Sequence, residues 1–234
     1  NGNCDNNNGG CKSDRRIRSL EMPDPQHALA LYRAGHATYC RAPPVVEQNL
    51  VAGLLRGTRY GCGQYDPSGT SSVALGRGEV EVFLNPSTEH VTDWHYDFQE
   101  NFTIQLSGKK RWTLRQGTVN YPTRACTPHY QSPESVESQL KAAHLSTPEF
   151  RFGAPTDPRN SNALGNSKQI DMNPGDVLYF PAGMWHKVET LEAGVSLNVS
   201  LMAANYATAV CQALQHFLLQ DEEGWRETLV EIGR

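Results

Sequence analysis

The chain has 234 residues and a formal net charge of -4, with acidic and basic residues interspersed. That balance gives no basis for a nucleic-acid surface or a polybasic membrane anchor, and no apolar run approaches the roughly 20 residues that cross a bilayer. The length suits one large domain, since β-rich barrels of this size commonly form a single unit.

Residues 1–18 are rich in Asn, Gly and charge, so a flexible N-terminal segment is expected there, with one domain over 19–234. The segment has no charged-then-apolar layout of a signal peptide. Six cysteines are scattered without a C-x-x-C pair. Cys4 and Cys11 superficially resemble the start of an epidermal-growth-factor module, but no further cysteines follow at short spacing. Reduced thiols and an intracellular location, cytoplasmic or nuclear, are the expectation.

Asp24-Pro25 reads as an N-cap followed by proline at the first helical position, and Gly35 as the stop. Ala28, Leu31 and Tyr32 would form the buried stripe of this helix. A short strand is expected over 39–41. Pro44 opens a second helix through Leu55, with Val46, Leu50, Val51 and Leu54 on its apolar side. From Glu79 the period changes to that of strands. Residues 79–84, 102–106 and 110–114 alternate as strands do, and Ser107-Gly108 between the last two predicts a hairpin.

Within this β region lies His95-Tyr-Asp97. On a strand, residues i and i+2 face the same side, so His95 and Asp97 can enter one cavity. A second block, Asn173-Pro-Gly-Asp-Val-Leu-Tyr-Phe-Pro-Ala-Gly-Met-Trp-His186, supplies a third candidate, His186. Two imidazoles and one carboxylate leave the opposite face of an octahedral metal open, which suits non-haem Fe(II) oxygen chemistry. The Lys109-Lys-Arg111 run would ordinarily be a solvated face. Alternation nevertheless points Lys110 and Trp112 to one side and Lys109 and Arg111 to the other, so one lysine faces in, Lys110 ahead of Lys109. His90, His129 and His144 are expected at the surface, and His36 and His216 as packing residues.

Residues 116–168 form a long polar insertion, with a helix-like piece at 133–144. Loops of that length tend to be lids or binding surfaces, so residues 121–152 are expected to line a substrate entrance. Strands follow at 177–180, 188–190 and 195–201, and residues 206–232 turn helical. Helices flanking short strands argue for a mainly β fold with a double-stranded β-helix, or jelly-roll, core over about 79–202.

The stretch from Leu31 to Met202 resembles the JmjC/cupin-type Fe(II)- and 2-oxoglutarate-dependent oxygenases. The motifs that carry the likeness are His95-Tyr-Asp97, Gln105-Leu-Ser-Gly-Lys-Lys-Arg-Trp112 and Pro174 through His186. Within that superfamily the chain is most similar to the ribosomal oxygenases and to the asparaginyl hydroxylase that inhibits hypoxia-inducible factor. The resemblance implies that His95, Asp97 and His186 bind iron and that Lys110 pairs with the distal carboxylate of 2-oxoglutarate, a charge-assisted bond. It further implies a cosubstrate role for Thr92, Asn101, Asn198 and Ser200, with Ser196 alternating inward on the same strand. Thr92 and Asn101 have an alternative role, since Thr and Asn also cap turns beside strands.

The activity implied is hydroxylation of a side chain of a protein or peptide substrate, with O2 consumed and 2-oxoglutarate converted to succinate and CO2. Two alternatives stay open: oxygenation of a small molecule or modified nucleoside, and a non-enzymatic cupin-fold metal-binding protein. The C-terminal helices could pair two copies as a homodimer, as in the asparaginyl hydroxylase.

Overall fold

A computed structural model describes residues 24–63, 76–88, 90–117, 121–126, 167–220 and 223–227. The N-terminal segment, most of the insertion with its helix-like piece, and residues 228–234 lie outside the described residues. Helix α1 (Pro25–Arg33) begins where the sequence placed it, with the Asp24 carboxylate accepting from the Gln26 N–H. It ends at Gly35, whose φ of +93° is open to glycine at no steric cost. Its Ala28, Leu31 and Tyr32 are half-buried.

Strand β1 (Thr38–Arg41) leads into α2 (Pro44–Thr58), one turn longer than expected. Val51 and Leu55 of α2 are fully buried against Val80, Val199 and Leu201, while Val46 stays 37% exposed near the helix start. Strand β2 (Arg77–Asn85) therefore has two distinct faces. Val80 and Val82 pack under α2, and the odd-numbered residues point the opposite way. The remaining strands are β3 (Val91–His95), β4 (Glu100–Arg115), β5 (Lys168–Met172), β6 (Val177–Phe180) and β7 (Trp185–Met202).

Among the described residues all the strand pairings are antiparallel, and two long strands organise them. The last part of β7 pairs with β2 on one side and with the first part of β4 on the other. The early part of β7 pairs with β3 and with the last part of β4. The chain thus builds two sheets, β1-β2-β7-β4-β6 and β3-β7-β4-β5, joined by two strands that run through both. This is the jelly-roll core expected from the sequence.

The hairpin expected at Ser107-Gly108 does not form. Residues 100–115 are one strand, and the register slips at Gln105, Ser107 and Lys109 mark irregular bulging rather than a reversal. Gly108 takes φ +69° at this bend, and a Cβ there would lie 2.3 Å from the Ala193 carbonyl oxygen. On the facing strand a Cβ at Gly194 would lie 2.0 Å from the Ser107 oxygen. Paired glycines let β4 and β7 bend together at one point, so a turn-like dipeptide serves as a corner. By the same logic the two short strands expected at 188–190 and 195–201 are halves of β7.

The described part of the C-terminal region gives helix α3 (Tyr206–Gln220) and a short turn at Glu223–Arg226. His36 and His216 are exposed, not packed. His216 sits on α3, which has no buried residue among those described. No helix among the described residues is long and apolar enough to cross a membrane.

Candidate active site

A cavity of about 190 Å³ opens between the two sheets. One wall carries Glu81, Phe83 and Asn85 of β2, Thr103 of β4, and Ser196 and Asn198 of β7. The other carries Thr92 and His95 of β3, Lys110 and Trp112 of β4, and His186, Val188 and Thr190 of β7. The bends in β4 and β7 explain how one strand serves both walls.

His95 is the last residue of β3 and stands opposite His186 in the β3–β7 register. Asp97 lies two residues beyond the strand end, yet its side chain still reaches the same space. One ligand atom from each of the three residues can be chosen so that all lie within 4.8 Å of one another. The two rings have centroids 4.1 Å apart, and His186 Nε2 is 3.6 Å from Asp97 Oδ2.

Each ring is set by its own backbone. Nδ1 of His95 lies 2.7 Å from the Asp93 carbonyl oxygen, and Nδ1 of His186 lies 3.0 Å from that of Met184. A carbonyl only accepts, so both Nδ1 atoms carry the proton and both Nε2 atoms are left as electron-pair donors. Phe180 and Trp112 pack on the His186 ring at centroid distances of 4.7 and 5.7 Å.

Asn101 and Ser200, expected to touch the cosubstrate, lie behind the cavity wall instead. Asn101 is 1% exposed; its amide donates to the Gln99 carbonyl at 3.0 Å and reaches Asp97 Oδ2 at 3.5 Å. Its Oδ1 accepts from Ser200 Oγ at 2.8 Å and from the Asn198 amide at 3.1 Å. This chain of polar contacts fixes the amide that faces Asp97. Burial pushes the Asp97 carboxyl above its usual range, and the His95 ring opposes that shift. A bound cation would favour the ionised form.

Four residues along β7 from His186, roughly 13 Å by strand rise, lies Thr190, the register partner of Lys110. Lys110 is 6% exposed and donates to Ser196 Oγ at 2.7 Å; among the described residues no carboxylate pairs with it. Burial alone lowers its pKa to about 8. Lys109 and Arg111 point outward and meet Asp171 at 3.5 and 2.7 Å. Alternation therefore settles which lysine faces the cavity. Thr92 also lines the cavity, its hydroxyl oxygen accepting from the Val188 N–H at 2.9 Å. That contact leaves the hydroxyl proton available to a ligand.

Sequence reasoning missed Glu81, Asn85, His90 and Thr190. The polar face of β2 reads like any solvent-facing strand, and only its partner sheet turns it inward. His90 was expected at the surface because it reads as a loop residue, but it lines the cavity. Burial and the nearby Lys110 charge both hold its imidazole below the ordinary range.

A double antiparallel sheet with two histidines and a carboxylate converging between its halves defines a cupin-type candidate metal site. Residues 57–206 match the family described as the Cupin-like domain, and the chain belongs to that family. Ribosomal oxygenase 2 of Rattus norvegicus is 30% identical over 125 residues, covering 53% of this chain and 20% of that protein. The Bacillus subtilis protein YxbC, described as uncharacterized, is 26% identical over 169 residues, covering 70% of this chain and 44% of its own length. A solved structure of YcfD, a ribosomal oxygenase from Escherichia coli in complex with cobalt and 2-oxoglutarate, is 15% identical, with a TM-score of 0.39 over 79% of this chain and 38% of that one. The chain thus spans less than half the length of these two curated relatives.

Proposed function

We propose that this chain is an Fe(II)- and 2-oxoglutarate-dependent oxygenase that hydroxylates a side chain of a protein or peptide, with residues 19–234 acting as one domain. The observation that carries this reading is a His–Asp–His donor set sharing one cavity with a buried lysine that lacks a carboxylate partner among the described residues. The donor set fits iron: His95 and His186 would offer Nε2 and Asp97 an oxygen, with the imidazoles oriented through their Nδ1–H bonds. Lys110 and Thr92 would receive the distal carboxylate of 2-oxoglutarate. Asn198 flanks the cosubstrate space on the cavity wall, while Asn101 and Ser200 hold Asp97 in place. When bound, iron and 2-oxoglutarate would supply the O2-activating chemistry, in which one oxygen atom of O2 goes into succinate and the other into the substrate, with CO2 released. The protein's own share is orientation and dryness: Trp112, Phe180 and Val188 give an apolar lining beside the donor set.

Two features support a polypeptide substrate. The cavity is smaller than the roughly 300–1,000 Å³ of sites that enclose drug-sized molecules, and so suits a cosubstrate plus one projecting side chain. Glu81 presents a carboxyl to it with no hydrogen bond or ion pair among the described residues, and burial with the nearby Glu79 and Asp97 charges raises its pKa to about 7. A substrate side chain that donates hydrogen bonds fits there. The name of ribosomal oxygenase 2 adds support from a relative.

A homodimer through the C-terminal helix belongs to the same reading. Val210, Leu214 and Phe217 recur at helical spacing on α3 and are 66%, 55% and 68% exposed. Sedimentation of the wild type and of a Leu214→Glu variant tests it, with loss of a dimer species expected in the variant.

The deciding experiment supplies Fe(II), 2-oxoglutarate and O2 together with candidate peptides, small molecules and nucleosides, and measures succinate alongside product mass. Succinate matched by a peptide gaining one oxygen atom is expected. Oxygen gained only by a small molecule or nucleoside would replace the peptide reading, and intact metal binding with no succinate from any candidate would remove the oxygenase reading.

A further inference from the structure

Lys110 does not stand alone at its end of the cavity. Asn85, His90, Thr92, Thr190 and Ser196 line the same space, contributed by β2, the segment entering β3, β3 itself and β7. The Thr190 side chain is 3% exposed, and its hydroxyl has no hydrogen-bond partner among the described residues. A hydroxyl buried without a partner costs stability, so a ligand that accepts its proton is the natural occupant. The His90 main-chain oxygen accepts from the Thr190 N–H at 3.1 Å, which ties the two residues together. The ring of His90 lies close enough to Lys110 for that charge to act on it. One buried amine and one imidazole thus crowd a small space, with no carboxylate paired to the lysine among the described residues.

We propose that His90 and Thr190 complete the receptor for the carboxylate held by Lys110, the Thr190 hydroxyl and a His90 ring N–H each donating to it. This rests on the oxygenase reading of the cavity, and it adds two binding residues that the sequence motifs do not mark. The three groups come from three separate stretches of chain, so the carboxylate ties β3, β4 and β7 together at the end away from the metal ligands. Asn85 is also fully enclosed there, with Oδ1 unpartnered among the described residues. Its amide is a further donor if the side chain is turned.

The test is ligand affinity, measured by calorimetry on the whole chain, with Mn(II) plus 2-oxoglutarate in one arm and glutarate without metal in the other. Glutarate has the carboxylate but lacks the keto group that chelates a metal, so it reads this end of the cavity by itself. Thr190→Val and His90→Ala are each expected to weaken both ligands about tenfold or more, the loss of one hydrogen bond to a charged acceptor. Mn(II) affinity stays unchanged in both. Thr190→Ser and His90→Gln, which keep a donor, are expected to recover most of the affinity and guard against misfolding as the cause. Wild-type affinity in Thr190→Val and His90→Ala, with loss in Lys110→Ala, would overturn this proposal and leave the oxygenase reading standing. Failure of the wild-type chain to bind either dicarboxylate would overturn both.

Discussion

Replacing Lys110 by Met should make the ligand-free protein more stable while damaging its ligand binding. Burial depresses the Lys110 pKa from 10.5 to about 8, a difference worth roughly 3 kcal/mol at 1.36 kcal/mol per pKa unit. The sign follows from linkage. Between those two values the unfolded chain binds more protons than the folded one, so stability rises with pH across that window. Below about pH 8 the folded protein carries the full cost of an enclosed ammonium, and above the ordinary lysine range the cost is gone. The bond from Lys110 to Ser196 offsets about 1–2 kcal/mol of it.

Met fills similar volume without charge, so Lys110→Met should gain roughly 1–2 kcal/mol at pH 7, a few degrees in Tm for a chain of this size. The gap between variant and wild type should shrink as pH rises from 8 to 10. Affinity for 2-oxoglutarate should fall about thirtyfold or more, because a carboxylate loses its buried cationic partner. Urea unfolding across pH, paired with calorimetry, checks both halves. A variant less stable than wild type at pH 7, or a gap that widens with alkalinity, would refute the burial argument. An unchanged 2-oxoglutarate affinity would move the carboxylate role away from Lys110.

Asn101→Ala should weaken metal binding about 10- to 100-fold, the usual loss when a group that orients a ligand is removed; Mn(II) titration followed by electron paramagnetic resonance measures it, and unaltered affinity would reduce Asn101 to a packing residue. Gly194→Ala forces a methyl against the Ser107 oxygen, at 2.0 Å before any relaxation, and should cost about 1–3 kcal/mol of stability by thermal unfolding. A neutral effect there would show that the corner between the sheets is soft.

The strongest signals in the sequence were those with a short-range cause. The cap at Asp24, the stop at Gly35 and the run at 177–180 depend on neighbouring residues, and each appears where expected. Alternation identified Lys110 over Lys109 because the strand remains regular from there to Arg115. The corner at Gly108 could not be told from a hairpin, since glycine at positive φ serves both and the difference lies in the distant strand around Gly194. Glu81, His90 and Thr190 escaped for a related reason: which face of a strand is enclosed depends on a second sheet. Ser200 falls on the strand expected for it, whereas Asn101, expected just before a strand, is inside β4. Both sit against each other, and Asn101 against Asp97, rather than among the residues lining the cavity.

The two continuous strands also act as a ruler. His186 and Thr190 share β7, just as Leu114 and Lys110, their register partners, share β4. Their spacing is set by bond lengths and pleat, not by loops that could yield. A ligand gripped at both places is therefore measured for length. Removing one methylene from a keto diacid would let it satisfy the metal or the lysine, but not both without strain. Discrimination between five-carbon and four-carbon keto diacids would then rest on the fixed backbone spacing of the side chains that grip the two ends.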